Sequence, residues 1–129
     1  MTKPLLILIC LAALGAGVAS PCRAQPPGAP LTPAAAAEEV ESLLRACVRH
    51  MIDRKPAEAA QSAEAALGLS REAGDVSHQL RAANLLGLSL FRAGRTGEAV
   101  RRYAEAAAIA GRAGDAGGQA LALMRAGHL

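Results

Sequence analysis

Apolar residues in the middle of the chain recur three or four positions apart, at Val76, Leu80, Ala83, Leu86 and Leu90. This spacing lines one broad face of a helix and predicts a helix from Val76 to Ala93. The polar and small residues around it agree. Asp75 is suited to cap the start, and Gly94 to the left-handed position just past the end. The same punctuation divides the rest. Thr32 followed by Pro33 opens a helix running to about Asp53. Arg54-Lys55 turn the chain, and Pro56 begins a helix that ends near Ala73, before Gly74. Thr96 is placed to cap a fourth helix, and Gly114-Asp115 precedes a fifth that begins near Ala116.

These helices repeat. The stretch from Pro56 to Asp75 aligns without a gap on Thr96 to Asp115, an offset of forty residues. Glu58/Glu98, Ala59/Ala99, Ala66/Ala106, Ala73/Ala113, Gly74/Gly114 and Asp75/Asp115 are identical pairs. The offset continues through Gln79/Gln119, Ala82/Ala122 and Gly87/Gly127. The Gly-Asp and Gly87/Gly127 pairs weigh most, because alanine-rich sequences align by chance. Each unit therefore reads as two antiparallel helices, with units at about 36–75 and 76–115 and an incomplete one at 116–129. Small residues such as Gly87, Ala99 and Ala106 fall where neighbouring helices must approach closely.

Leu86-Gly87, Leu90, Gly94, Ala99, Tyr103 and Ala106 resemble the tetratricopeptide consensus in residue type and spacing. Leu86-Gly87 stands for the Leu-Gly pair of the family's first helix, Gly94 for its turn glycine, and Ala99, Tyr103 and Ala106 for the signature of its second helix. Ala83 occupies the usual tryptophan position. In the first unit Cys47 replaces the packing glycine and Arg54 the turn glycine. The forty-residue period exceeds the usual ~34. It is similar to the longer variety found in kinesin light chains and in many bacterial sensor and adaptor proteins, whose units often end in Ala-Gly-Asp. The resemblance implies an all-α chain of about two and a half helical-hairpin repeats, stacked as a short solenoid over residues 34–129.

Composition sharpens this picture. The chain has 129 residues, 52% of them hydrophobic, but 32 are alanine, the best helix former and the weakest apolar residue. Thin, closely packed helices are the expectation. The formal charge is +3, and the aromatic residues are Tyr103 and Phe91 alone. That combination excludes a basic, base-stacking surface for nucleic acid.

The first residues are read as an address rather than as fold. Lys3 precedes an uncharged apolar run of about 14 residues, too short for the ~20 that span a bilayer. Small residues follow, as in a secretory signal peptide over residues 1–24 with cleavage after Ala24. Cleavage after Ala19, an uncleaved membrane anchor and lipidation of Cys22 are the alternatives. Residues 25–33 form a proline-rich linker. Removing residues 1–24 takes away Lys3 and Arg23, leaving 12 basic against 11 acidic residues. Most of the apparent basicity thus belongs to the leader, and a periplasmic or secreted location is expected. Cys47 would be the single remaining thiol, read as a small buried residue rather than a reactive one.

Nothing in the sequence points to catalysis, a cofactor or a metal. His50, His78 and His128 stand far apart, without cysteine or carboxylate at ligand spacing. Glu38, Glu39 and Glu41 are read as charges complementing a helix start, and Arg101-Arg102 as a solvated face. The resemblance implies instead a concave groove along the first helix of each unit, holding a peptide or partner helix. It places Leu44, Val48, Ile52, Arg81, Asn84, Leu88, Phe91 and Arg92 on that groove, with Glu41 and Met51 beside them. An apolar trough with an arginine edge fits an amphipathic or extended protein segment. The expected function is a protein-interaction or scaffolding module. The alternatives are the N-terminal repeat region of a larger extracytoplasmic enzyme or sensor, or a structural domain that self-associates through the C-terminal edge at Leu121, Leu123, Met124 and Leu129.

Overall fold

The computed structural model describes residues 31–129; the leader expected over residues 1–24, and residues 25–30 of the linker, lie outside the described residues. Five helices follow one another: α1 (Pro33–Ile52), α2 (Pro56–Glu72), α3 (Val76–Arg92), α4 (Thr96–Arg112) and α5 (Ala116–Gly127). Among the described residues there is no strand.

One turn geometry joins all of them. After α2, the Gly74 amide donates to the Arg71 carbonyl at 3.1 Å and the Asp75 amide to the Ser70 carbonyl at 3.0 Å. This paired closure satisfies two carbonyls that the helix end would otherwise leave without donors. The pattern recurs at Gly94 and Arg95, at Gly114 and Asp115, and at Arg54 and Lys55. Its middle residue needs a positive φ, which Gly74, Gly94 and Gly114 supply at 69°, 81° and 75°. Arg54 takes the same conformation at 58°, as the repeat offset requires. The next residue then begins the following helix. Asp75 and Asp115 accept from the His78 and Gly118 amides at 3.1 and 2.8 Å, and Thr32 caps α1 through Ala35 at 3.2 Å.

Thr96 does not cap α4 as expected. The turn consumes residues 93–95, so Arg95 takes the cap position and Thr96 is the first helical residue. Arg95 instead reaches Glu98 in the first turn, with contacts of 2.8 and 2.6 Å. There the carboxylate also complements the helix dipole.

Each helix packs on the next, and α1 also approaches α3. Its core is largely methyl groups: Ala59, Ala63, Ala66, Ala82, Ala83, Ala99, Ala106 and Ala110 are fully or almost fully buried. Leu44, Leu67 and Leu86 supply the largest fully buried side chains. Truncating one of these leucines to alanine costs about 2–5 kcal/mol. Two buried hydroxyls turn back on their own helices, Ser70 to the Leu67 carbonyl at 2.9 Å and Ser89 to that of Leu85 at 2.7 Å. Cys47 is fully buried with its Sγ 3.6 Å from Ser89 Oγ, and burial pushes its thiol pKa up. A raised pKa makes the thiol a weaker nucleophile.

Candidate partner-binding groove

The surface shared by α1 and α3 carries two shallow depressions. The first, about 200 Å³, is lined by Leu44, Arg45, Val48, Arg81 and Leu85. The second, about 310 Å³, is lined by Met51, Arg54, Pro56 and Arg92. Both follow from the repeat. Arg45 and Leu85 occupy equivalent positions one period apart, so the approach of α1 to α3 sets a guanidinium from one helix beside an isobutyl group from the other.

The residues expected on the groove divide among several environments. Val48 and Arg81 line the first depression and Arg92 the second. Leu44, expected to meet a partner, is a core residue with 1% of its surface exposed, and it contributes only the floor. The reason is its place on the inner face of α1 with Val40 and Cys47, both also buried. Phe91 and Ile52 stand outside both depressions as exposed apolar side chains, at 44% and 75%. Leu88 is half-buried. Asn84 is engaged within the stack: its amide donates to the Leu80 carbonyl at 3.0 Å and its Oδ1 accepts from Arg125 of α5 at 3.3 Å. Arg45, Leu85, Arg54 and Pro56 are lining residues that sequence reasoning did not single out. No local spacing marks them, because the depressions arise from the approach of α3 to α1.

A charged cluster stands at one end of the first depression. Glu41 of α1 bonds Arg81 of α3, and its Oε1 also lies 3.0 Å from His78 Nε2. The other ring nitrogen of His78 lies 2.5 Å from Asp75 Oδ2. These partners hold the carboxyl of Glu41, through Arg81 first, and that of Asp75 below the usual carboxylate range, and they raise the pKa of His78. Glu38, Glu39 and Glu41 thus do not complement the start of α1: its first turn contains no acidic residue, and Glu41 instead ties α1 to α3.

The opposite side of the stack is charged differently. Arg71 of α2 pairs with Glu105 of α4, and Arg102 of α4 lies 3.6 Å from Glu64 of α2 and 3.0 Å from Glu105. A third depression there, lined in part by Gln61, Glu64, Arg95, Glu98 and Arg102, has its arginines already matched by carboxylates. Among the described residues, no group of histidine, cysteine and carboxylate side chains could hold a metal ion, and no helix is long and apolar enough to cross a membrane.

No family model and no curated protein matches the sequence. The fold is similar to the crystal structure of the TPR domain of Arabidopsis FLU, with a TM-score of 0.61 and 26% sequence identity, covering 71% of this chain and 83% of that one. The fold is therefore a tetratricopeptide-like helical solenoid, an architecture whose general work is to bind other proteins rather than to catalyse.

Proposed function

We propose that the chain is an exported interaction module that holds a segment of a partner protein along the groove between α1 and α3. The observation that carries the reading is the pair of depressions, the first lined by Leu44, Val48 and Leu85 with Arg45 and Arg81, the second by Met51 and Pro56 with Arg54 and Arg92. Val48, in the lining of the first depression, remains 44% exposed. The forty-residue period supports placement with the longer, kinesin light chain-like repeats, and residues 1–24 support export to the periplasm or beyond.

Two measurements test this. Full-length chain carrying V48S and M51S, one from each depression, should keep its helical content yet lose a partner that the wild type retains from envelope extracts. Unchanged retention contradicts groove binding. N-terminal sequencing of the protein recovered from the cell envelope should begin at Gln25. Recovery only from the cytosol with Met1 in place contradicts export.

A second reading is favoured by α5, where Ala122 is the buried residue while Leu121, Leu123 and Met124 are 42–53% exposed. That face supports self-association. Light scattering that reports a dimer, dispersed by L123S and M124S, supports it; a monomer at high concentration contradicts it.

A further inference from the structure

We propose that His78 is a proton-operated latch between the first two repeats: protonated, it ties α1 to the start of α3, and neutral, it releases α1. The ring stands between carboxylates of two different elements. Nδ1 lies 2.5 Å from Asp75 Oδ2 in the turn before α3, and Nε2 lies 3.0 Å from Glu41 Oε1 on α1. Only 16% of the His78 side chain is exposed, so little water can take the place of either partner. Helix α3 packs on α1, α2 and α4. Among the described residues, no carboxylate other than Asp75 and Glu41 comes within ion-pairing distance of the ring. The cation of the cluster is Arg81, which reaches the ring's surroundings through Glu41.

An ionised carboxylate only accepts, so two of them require an N–H on both ring nitrogens. A neutral imidazole carries one. It stays toward Asp75, which is fixed as the cap of α3 by the His78 amide at 3.1 Å. Nε2 then turns a lone pair to Glu41 Oε1, and two acceptors 3.0 Å apart repel. Glu41 has a second partner in Arg81 and passes wholly to it. Losing the proton therefore removes one tie between α1 and α3 and leaves the other. Asp75 and Glu41 are held below the usual carboxylate range, while His78 is raised above 6.5, by Asp75 first and against the opposing effect of burial. Through neutral pH the ring is thus the member of the cluster that changes charge. The latch is closed below its folded value and open above it.

The repeat shows that the ring is an addition to the turn rather than part of it. Forty residues later Asp115 caps α5 through the Gly118 amide at 2.8 Å, with glycine where His78 stands and Leu121 where Arg81 stands. The same turn and cap form there with no imidazole, so capping does not account for His78. Arg81 lines the first depression, so the proton on His78 also sets how that guanidinium is held at the rim. The latch works whether or not a partner occupies the groove.

The test is a pH titration of the isotope-labelled full chain by NMR, following the His78 ring nitrogens and the backbone amides of Val40 and Ser42 on α1. The ring should titrate above pH 6.5 and keep its proton on Nδ1 when neutral. The two amides should shift with the same midpoint. In E41A the ring, still held by Asp75, should titrate at a lower pH, and the amides should no longer follow it. H50Q, which removes the other imidazole of α1, should leave both behaviours unchanged. A ring that titrates at or below 6.5 overturns the latch. So do α1 amides that ignore the His78 midpoint in the wild type, or that follow it equally well in E41A.

Discussion

Gly87 of α3 lies against the ring of Tyr103 of α4, so closely that a methyl group at position 87 would sit 2.9 Å from Cε1. The ring is 3% exposed and packed by the core, so it cannot swing away. One period earlier the equivalent positions hold Cys47 and Ala63, both fully buried, with the larger side chain now on the odd-numbered helix. The two units thus fill the same junction with sizes exchanged. Alanine at position 87 would gain about 0.5–1 kcal/mol in helix propensity, but overpacking a rigid ring costs about 1–3 kcal/mol. Gly87→Ala should therefore lower the thermal midpoint followed by circular dichroism. In a Tyr103→Leu background, itself less stable, the same change should cost much less. Equal losses in both backgrounds would contradict the packing account.

Arg54 adopts φ 58° at a turn whose three counterparts are glycine. A left-handed residue with a side chain costs about 1–2 kcal/mol, and glycine returns part of that gain as chain entropy, about 0.5–1 kcal/mol. Arg54→Gly should stabilise the chain by about 0.5–1 kcal/mol, seen as a rise of a few degrees in the melting midpoint, and Arg54→Ala should not. The stabilised variant should also be the weaker binder, because Arg54 rims the second depression.

His78 makes a prediction about pH. Nδ1 faces Asp75 and Nε2 faces Glu41, so both ring nitrogens donate only when the imidazole is protonated, and its pKa is raised above the ordinary 6.5 by Asp75 first. The contribution is fully present below pH 6.5 and is lost as pH rises through the higher folded value. Asp75 and Glu41, whose pKa values are lowered, contribute in the opposite sense: their share is present at neutral pH and lost as pH falls through the depressed values. Urea melts should show the stability advantage of wild type over His78→Gln shrinking as pH is raised from below 6.5 through the elevated folded value. A constant difference across that range would mean that the imidazolium does not couple α1 to α3.

The cap and turn residues make most of the fold legible in the sequence. Helix starts at Thr32-Pro33, Pro56 and Asp75, and the stops at Gly74, Gly94 and Gly114, are local signals, and the structure places the elements there. Thr96 was misread because a threonine before a helical run resembles a cap, whereas the three-residue turn sets the register and makes Arg95 the cap. The groove was less legible. Leu44 and Asn84 share a repeat position, yet one is core and the other bridges to Arg125, a difference that depends on which helix follows. The bonds from Glu41 to His78 and Arg81 span 37 and 40 residues, and no local pattern announces them.

Stability should also be uneven along the stack. Helices α2, α3 and α4 each bury six residues, whereas α5 buries Ala122 alone. In a linear array each element is held mainly by what it buries against its neighbours. Amide hydrogen exchange should be fastest in α5 and slowest in α3. Protection of α5 equal to that of α3 would contradict this for a monomer, and would instead match burial of Leu121, Leu123 and Met124 in self-association.

The groove itself is tested most directly by site-specific photo-cross-linking in the cells that make the protein. A benzophenone amino acid replaces Val48, beside the first depression, or Arg101, exposed on α4. The account predicts a discrete partner adduct from position 48 and none from position 101. Adducts from position 101 alone, or the same adduct from both, would contradict it.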